Sequence, residues 1–439
     1  MNKAGALTVL VGPIEISGYY ASLITGLNQC GCKAVYGMMY THPFGYGSEH
    51  PSGPLRMLIL NVWNWSERNR RRRSLWLAAR LLHKLLSATY FLLWLPSIDA
   101  AIMGFGHSYW PAKLDLLCLR LLGKKVIVNL GHGSDMRPPY LDGSYLSPDA
   151  SAMPNSPYLS RRAYAMSRNV QRCTRWAHWV IGQPLSSSYF SRRIMVNWFA
   201  IGWPRQVSYV DCGEPVSFAR KKRPWRLLHA PSNPALKGTV LIRDAIAKLR
   251  SDGYAIHYIE LQGKSNNEVL ELLKWCDLVV DQVYSDTPMA GLALEAAAYG
   301  KPALVAGYGF NQLRQHVAPG CWPPSFTCLP SELVATLESI IKDPFRSLCK
   351  GREAQHFIEQ HWCSALVAQR YLRLITSDAP SDWLFDPNSV HYLYGCGLSD
   401  DRVNETVAGL IATVGLEGLQ LGHRLDLQRD YQEVAQSLG

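Results

Sequence analysis

Asp277 to Pro302, DLVVDQVYSDTPMAGLALEAAAYGKP, leaves this chain few folds to choose from. Leu278, Val279, Val280 and Val283, set around Asp281 and Gln282, predict a buried strand. A polar turn with Pro288 follows, and Ala290 to Tyr299 predicts a helix. Gly300-Lys301-Pro302 ends that helix, and Ala303 to Ala306 begins a second buried strand. A strand, a turn presenting backbone N–H groups and a helix N-terminus together form a cradle for a diphosphate. Glu295, about one turn into the helix, is placed to accept hydrogen bonds from ribose hydroxyls.

The same alternation runs through most of the chain. Leu7 to Val11, Ala34 to Met39, Leu58 to Val62, Ala100 to Gly104 and Lys125 to Leu130 predict strands, with helices over Tyr20 to Cys30 and Lys113 to Leu122. Later, Arg226 to Ala230 and Ile256 to Leu261 predict strands. Gly238 to Arg250, Asn267 to Lys274, Ser331 to Lys342 and Gly351 to Ile375 predict helices. The expected fold class is α/β, with two doubly wound Rossmann-like domains facing a central cleft. We expect a first domain over 1–212, a linker at Asp211 to Pro224, a second domain over 225–380 and a partly helical extension over 381–439. A length of 439 residues accommodates two such cores.

Charge divides the chain unevenly. Residues 1–226 carry 28 Lys+Arg against 10 Asp+Glu, whereas 227–439 carry 17 against 24. A basic first half suits a polyanion, and an anionic membrane surface fits better than nucleic acid, for which no reading module is present. Ser74 to Leu95 is long and apolar, but Arg80, His83 and Lys84 interrupt it, so a membrane span is excluded. It is either a helix lying in a membrane interface behind Arg70 to Arg73 or a helix covering the sheet. Eleven unevenly spaced cysteines argue for a reducing compartment. With no basic segment ahead of Leu7, a cytoplasmic protein is expected, peripheral at the inner face of the membrane.

In parallel α/β sheets ligands bind beyond the carboxyl ends of the strands. The residues there are rich in glycine and hydrogen-bonding groups: Gly12-Pro13, Gly131-His132-Gly133-Ser134-Asp135, Pro231-Ser232-Asn233, Gln262-Gly263-Lys264 and Tyr284 to Thr287. His229, at a strand end, is expected to be a satisfied structural histidine.

His229-Ala230-Pro231-Ser232-Asn233, Lys237-Gly238-Thr239, Glu295-Ala296-Ala297-Ala298 and Gly300-Lys301-Pro302 together resemble the donor half of family 4 glycosyltransferases, which have the two-Rossmann-domain B-type fold. The resemblance implies transfer of a sugar from a nucleotide-sugar donor to a glycan or lipid-linked acceptor, with retention of configuration and without a metal or other cofactor. It implies ribose binding by Glu295 and diphosphate neutralisation by Lys237. It implies donor contacts from Gly12, Ser232, Asn233, Gln262, Thr287, Met289, Ala290 and Gly291. His132 resembles the family's histidine near the reacting carbon. Asp135 either binds an acceptor hydroxyl or caps a helix, and Arg137 either meets an anionic acceptor or pairs with Asp135. Gly12 and Gly18 allow the backbone to approach the phosphates, and Gly18 is also an acceptor-side candidate. Three positions depart from the pattern: the family's first glutamate falls on Thr287, its arginine on Ser232 and its helix-entry glycine on Ala290, with Gly291 next to it. A non-catalytic relative serving as a partner or scaffold is the alternative.

Overall fold

The computed structural model describes residues 6–42, 45–47, 50, 53–146, 154–207 and 223–438. The expected linker, Asp211 to Pro224, lies outside them apart from its last two residues. Two sheets organise the chain. The first contains β1 (Thr8–Gly12), β2 (Lys33–Tyr36), β3 (Ala100–Gly104), β4 (Lys125–Leu130), β5 (Trp179–Gly182) and β6 (Met195–Asn197). The second contains β7 (Trp225–His229), β8 (Ile256–Glu260), β9 (Leu278–Gln282), β10 (Ala303–Ala306) and β11 (Phe326–Cys328). β12 (Leu384–Phe385) returns to pair antiparallel with β6, and every other pairing is parallel.

The strand orders are β2-β1-β3-β4-β5-β6-β12 and β8-β7-β9-β10-β11. Each winding reverses after its first strand, between β1 and β3 and between β7 and β9. Those reversals open crevices at the carboxyl ends, where ligands bind in sheets of this kind. The central strands are buried throughout because helices cover both faces, which explains why they read as continuous apolar runs.

Leu58 to Val62 is not a strand: it lies inside the helix Pro54–Arg68. Pro54 at the first helical position sets the dihedral for a helix start, and Arg56, Ile59 and Ser66 turn inward at helical spacing. The long helix expected over 351–375 is broken. Pro344–Phe357 runs into a wide turn at Ile358–Trp362, and a new helix covers Ser364–Thr376. Burial of Trp362 forces the break, and the amide of Arg205 donates to its carbonyl at 2.9 Å.

That last helix leaves the second domain and packs on Tyr19–Gln29 in the first. Gly26 permits the approach, since a Cβ there would collide with the backbone of Ser364. Tyr371 seals the contact, its hydroxyl 3.0 Å from that of Tyr19 and accepting from Asn129 Nδ2 at 3.0 Å. The C-terminal helices Asp400–Val414 and Leu425–Leu438 also pack on the first domain, against Ser156–Trp176 or beside it. Buried Arg424 holds them by donating to the carbonyls of Ser188, Pro387 and Val390.

Candidate active site

The carboxyl ends of the two sheets face each other across a cleft of about 270 Å3. Ser17, Tyr46, Trp203 and Arg205 form one bank. Ser232, Lys237, Lys264, Gly291 and Glu295 form much of the other. A second cavity of about 200 Å3 shares Ser17, Trp203 and Gly291 with the cleft, and His132, Thr287 and Met289 line it further in.

The turn between β9 and its helix is held rigidly. Ser285 is fully buried, its hydroxyl donating to the carbonyl of Thr287 at 2.7 Å while accepting from Gln282 and from the Thr287 amide. Two residues of the first domain grip the same turn. Gln183 donates to the Asp286 carbonyl at 2.6 Å, and Arg137 pairs with the Asp286 carboxylate. The helix Gly291–Ala298 starts there without a side-chain cap, so its N-terminal dipole faces the cleft.

Glu295 is nearly buried. Its Oε1 accepts from Asn266 Nδ2 at 2.7 Å and the Tyr46 hydroxyl at 3.1 Å, with Arg205 at 3.5 Å. The carboxylate therefore sits at the junction of both domains. Beside this carboxylate, burial pushes the Tyr46 hydroxyl above its ordinary range, so it acts as a donor. Lys237 also lines the cleft, with Nζ 2.5 Å from Gln282 Oε1 and 3.2 Å from Asp281 Oδ1. Asp281 accepts from the Ala293 amide as well, so one carboxylate orients both the lysine and the helix start.

His132 is enclosed by Tyr19, Tyr20, Phe105 and Trp203. Burial drives its pKa down to about 3, which makes it a neutral imidazole. Nε2 lies 2.8 Å from the Tyr20 hydroxyl. Among the described residues nothing hydrogen-bonds His132 Nδ1, Thr287 Oγ1 or the indole N–H groups of Trp198 and Trp203. All four side chains line the inner cavity. Buried polar groups left unpaired cost about 1–3 kcal/mol each, so their convergence marks a place where a polar ligand restores the missing bonds.

Asp135 faces the other way, into a cavity of about 410 Å3 within the first domain, lined also by His107, Lys113, Arg162 and Arg172. Its Oδ1 is unpaired and burial raises its pKa to about 7. The loop beside it holds Phe105, Ala112 and Lys113 at φ of 53–65°, a strained backbone for residues with side chains.

The remaining candidates are scattered. Met289 and Ala290 line the inner cavity, and Ser232 lines the cleft. Asn233 instead caps a short helix, accepting from the Ala235 amide at 3.1 Å, and Gln262 pairs with Glu260, while its neighbours Leu261 and Gly263 reach the cleft. Gly12 makes room for the Tyr109 hydroxyl and the backbone of Gly37 rather than for a phosphate. Gly18, at φ 79°, starts a helix and lets the Tyr46 ring lie 3.2 Å from where its Cβ would stand. Arg137 is buried and pairs with Asp142 and Asp286, not with Asp135 or with open solvent. His229 has both ring nitrogens 2.8 Å from protein partners, Val280 O and Thr239 Oγ1, as a structural histidine should. Lys264, in the strand-end loop Gln262-Gly263-Lys264, lines the cleft as that position suggests, whereas Tyr46, Arg205, Trp203 and Asn266 belong to the site without a sequence signal, because only the fold brings them to the cleft at Glu295.

No protein-family model matches the sequence, and no curated protein matches it. Several solved structures are similar to the chain. HepE of Anabaena in complex with UDP-glucose has 13% identity and a TM-score of 0.47, covering 84% of this chain and 99% of its own. Sucrose-phosphate synthase of Thermosynechococcus elongatus has 11% identity and a TM-score of 0.46, covering 84% and 98%. S. aureus MnaA with UDP has 12% identity and a TM-score of 0.42, covering 86% and 99%.

Proposed function

We propose that the protein is a glycosyltransferase that moves a sugar from a nucleotide-sugar to a glycan or lipid-linked acceptor. One observation carries this reading: the cleft at Glu295 and the cavity holding the unpaired His132 and Thr287 atoms share Ser17, Trp203 and Gly291 in their walls and differ in character. The outer part offers what a nucleoside diphosphate needs, an acceptor carboxylate for ribose, a helix N-terminus and the cations Lys237, Lys264 and Arg205. The inner part offers what a sugar needs, unpaired hydrogen-bonding groups among aromatic rings. Arg205 brings positive charge into a site where Ser232 stands in place of the family's arginine.

Departure of the nucleoside diphosphate concentrates negative charge on the β-phosphate. Lys237 and the helix dipole are fixed beforehand at that place, so they stabilise the leaving group without reorganising. Neutral His132 donates or accepts one hydrogen bond to the sugar through Nδ1 and does not add a competing positive charge. The acceptor approaches from the first-domain side, and Asp135, which opens into the neighbouring first-domain cavity, is placed to bind a more distant part of it rather than the reacting hydroxyl. Retention and independence from metal belong to this proposal.

Thr287 and Ser232, together with a Glu295 whose Oε1 is already bonded within the protein, favour a second reading in which the fold is kept as a scaffold without turnover. Incubation with a panel of nucleotide-sugars in the absence of acceptor separates the two. Slow release of free sugar and nucleoside diphosphate, lost in His132→Ala and Lys237→Ala, is expected of the enzyme. Binding without any release in any acceptor mixture leaves the scaffold.

A further inference from the structure

Helices Pro54–Arg68 and Arg73–Trp94 form a hairpin whose inner side is fully accounted for. Ile59, Tyr90 and Phe91 are buried, Arg56 donates to the carbonyl of Met38, and His83 Nε2 is 2.8 Å from that of Met39. The outer side is apolar as well. Leu77, Leu81, Leu82, Leu85, Leu92 and Leu93 are 47–67% exposed along the longer helix, and Met57, Leu58 and Trp65 are exposed on the shorter one. A covering helix needs only one apolar face, so the second one is unexplained by the fold.

Its electrostatics select the occupant. From Pro54 to Trp94 there are eight Lys+Arg and a single carboxylate, Glu67, which Arg70 and Arg80 engage. Arg68 and Arg70 to Arg73 are exposed at the bend between the helices. No described helix is long and apolar enough to cross a membrane. A protein partner would have to supply hydrogen bonds at roughly one per 100–200 Å2, yet the leucine face offers almost none. A second copy would leave the arginine bend without counter-charge.

We infer that this hairpin docks on an anionic lipid surface, its leucines sunk at the headgroup boundary and its arginine bend on lipid phosphates. Beneath it, Phe91 stacks on Tyr109 at 5.5 Å and meets Trp110 at 5.4 Å. Trp110 borders the cavity holding Asp135, so the docked face and the acceptor side of the proposed transferase share one loop. Docking itself does not depend on the donor reading.

Sedimentation of the full chain with vesicles tests it. Vesicles containing about one third phosphatidylglycerol should carry the protein down, and pure phosphatidylcholine should not. Affinity should fall about tenfold or more in Leu81→Ser/Leu85→Ser, in a variant with Arg70 to Arg73 changed to Gln, and on raising salt several-fold. The substituted side chains are exposed, so unchanged melting temperatures and nucleotide binding should accompany those losses. Equal binding to neutral vesicles, wild-type binding by both variants, or a dimer in light scattering that ignores all vesicles would overturn the proposal. Failure of nucleotide binding alone would strike the donor site and leave this result standing.

Discussion

Burial decides what His132 and Asp135 do with a proton. The His132 ring stays neutral in the folded protein down to about pH 3, against an ordinary value of 6.5. Between those limits the unfolded chain binds a proton that the folded one refuses, so stability falls as pH falls through this window. For Asp135 the folded value is about 7 against 3.8, and the folded protein keeps a proton the unfolded chain has lost. Its contribution is therefore lost as pH rises from about 4 to about 7. The two slopes oppose over most of the range. Asp135→Asn should uncover the histidine slope, giving a melting temperature that climbs more steeply with pH between about 4 and 6.5 than that of the parent. Parallel curves for the two proteins would contradict the buried, protonated carboxyl. Both residues could be picked out in sequence because a Gly-His-Gly-Ser-Asp loop follows a strand. The roles of Tyr46 and Arg205 could not, since 249 and 90 residues separate them from the Glu295 they reach.

At the level of elements, the strand–turn–helix unit at 277–302 works because a second short element is locked to it. The Val283 amide donates to the Lys237 carbonyl at 3.1 Å, and Gly238, at φ 67°, presses against the Val283 side chain. A Cβ at Gly238 would stand 2.7 Å from Val283 and in a left-handed conformation. Gly238→Ala should thus cost roughly 1–3 kcal/mol of stability in denaturant titration and shift Lys237 enough to weaken nucleotide binding. A fully stable variant with normal affinity would show that this lock is slack. Strands buried on both faces announced themselves as apolar runs, which made the second sheet readable almost entire. The run at 58–62 misled because Leu58 faces outward, making an exposed apolar residue look like part of a strand core. β5 and β6 escaped notice since four and three residues among Trp, Ser and Arg carry too little pattern.

Over the whole molecule, the cleft is defined by elements that cross it. Arg137 from the first domain sits between Asp142 and Asp286 with all three buried, and Gln183 adds a hydrogen bond to the same turn. The helix Ser364–Thr376 and β12 carry the chain back to the first domain, one packing on Tyr19–Gln29 and the other pairing with β6. None of these ties has a local sequence signal. They follow only once the two sheets are set with their carboxyl ends facing each other. The account stands on the claim that this junction binds a nucleotide through Glu295. Thermal denaturation of the full chain and of Glu295→Ala against UDP, GDP, ADP, CMP and their sugars is the direct measurement. A ligand at about a hundred times its dissociation constant stabilises by roughly 2.7 kcal/mol. We predict a clear rise with one nucleotide family and an affinity about tenfold or more weaker in the variant, or at least 1.4 kcal/mol. No shift with any nucleotide, or the same shift in Glu295→Ala, would contradict the claim.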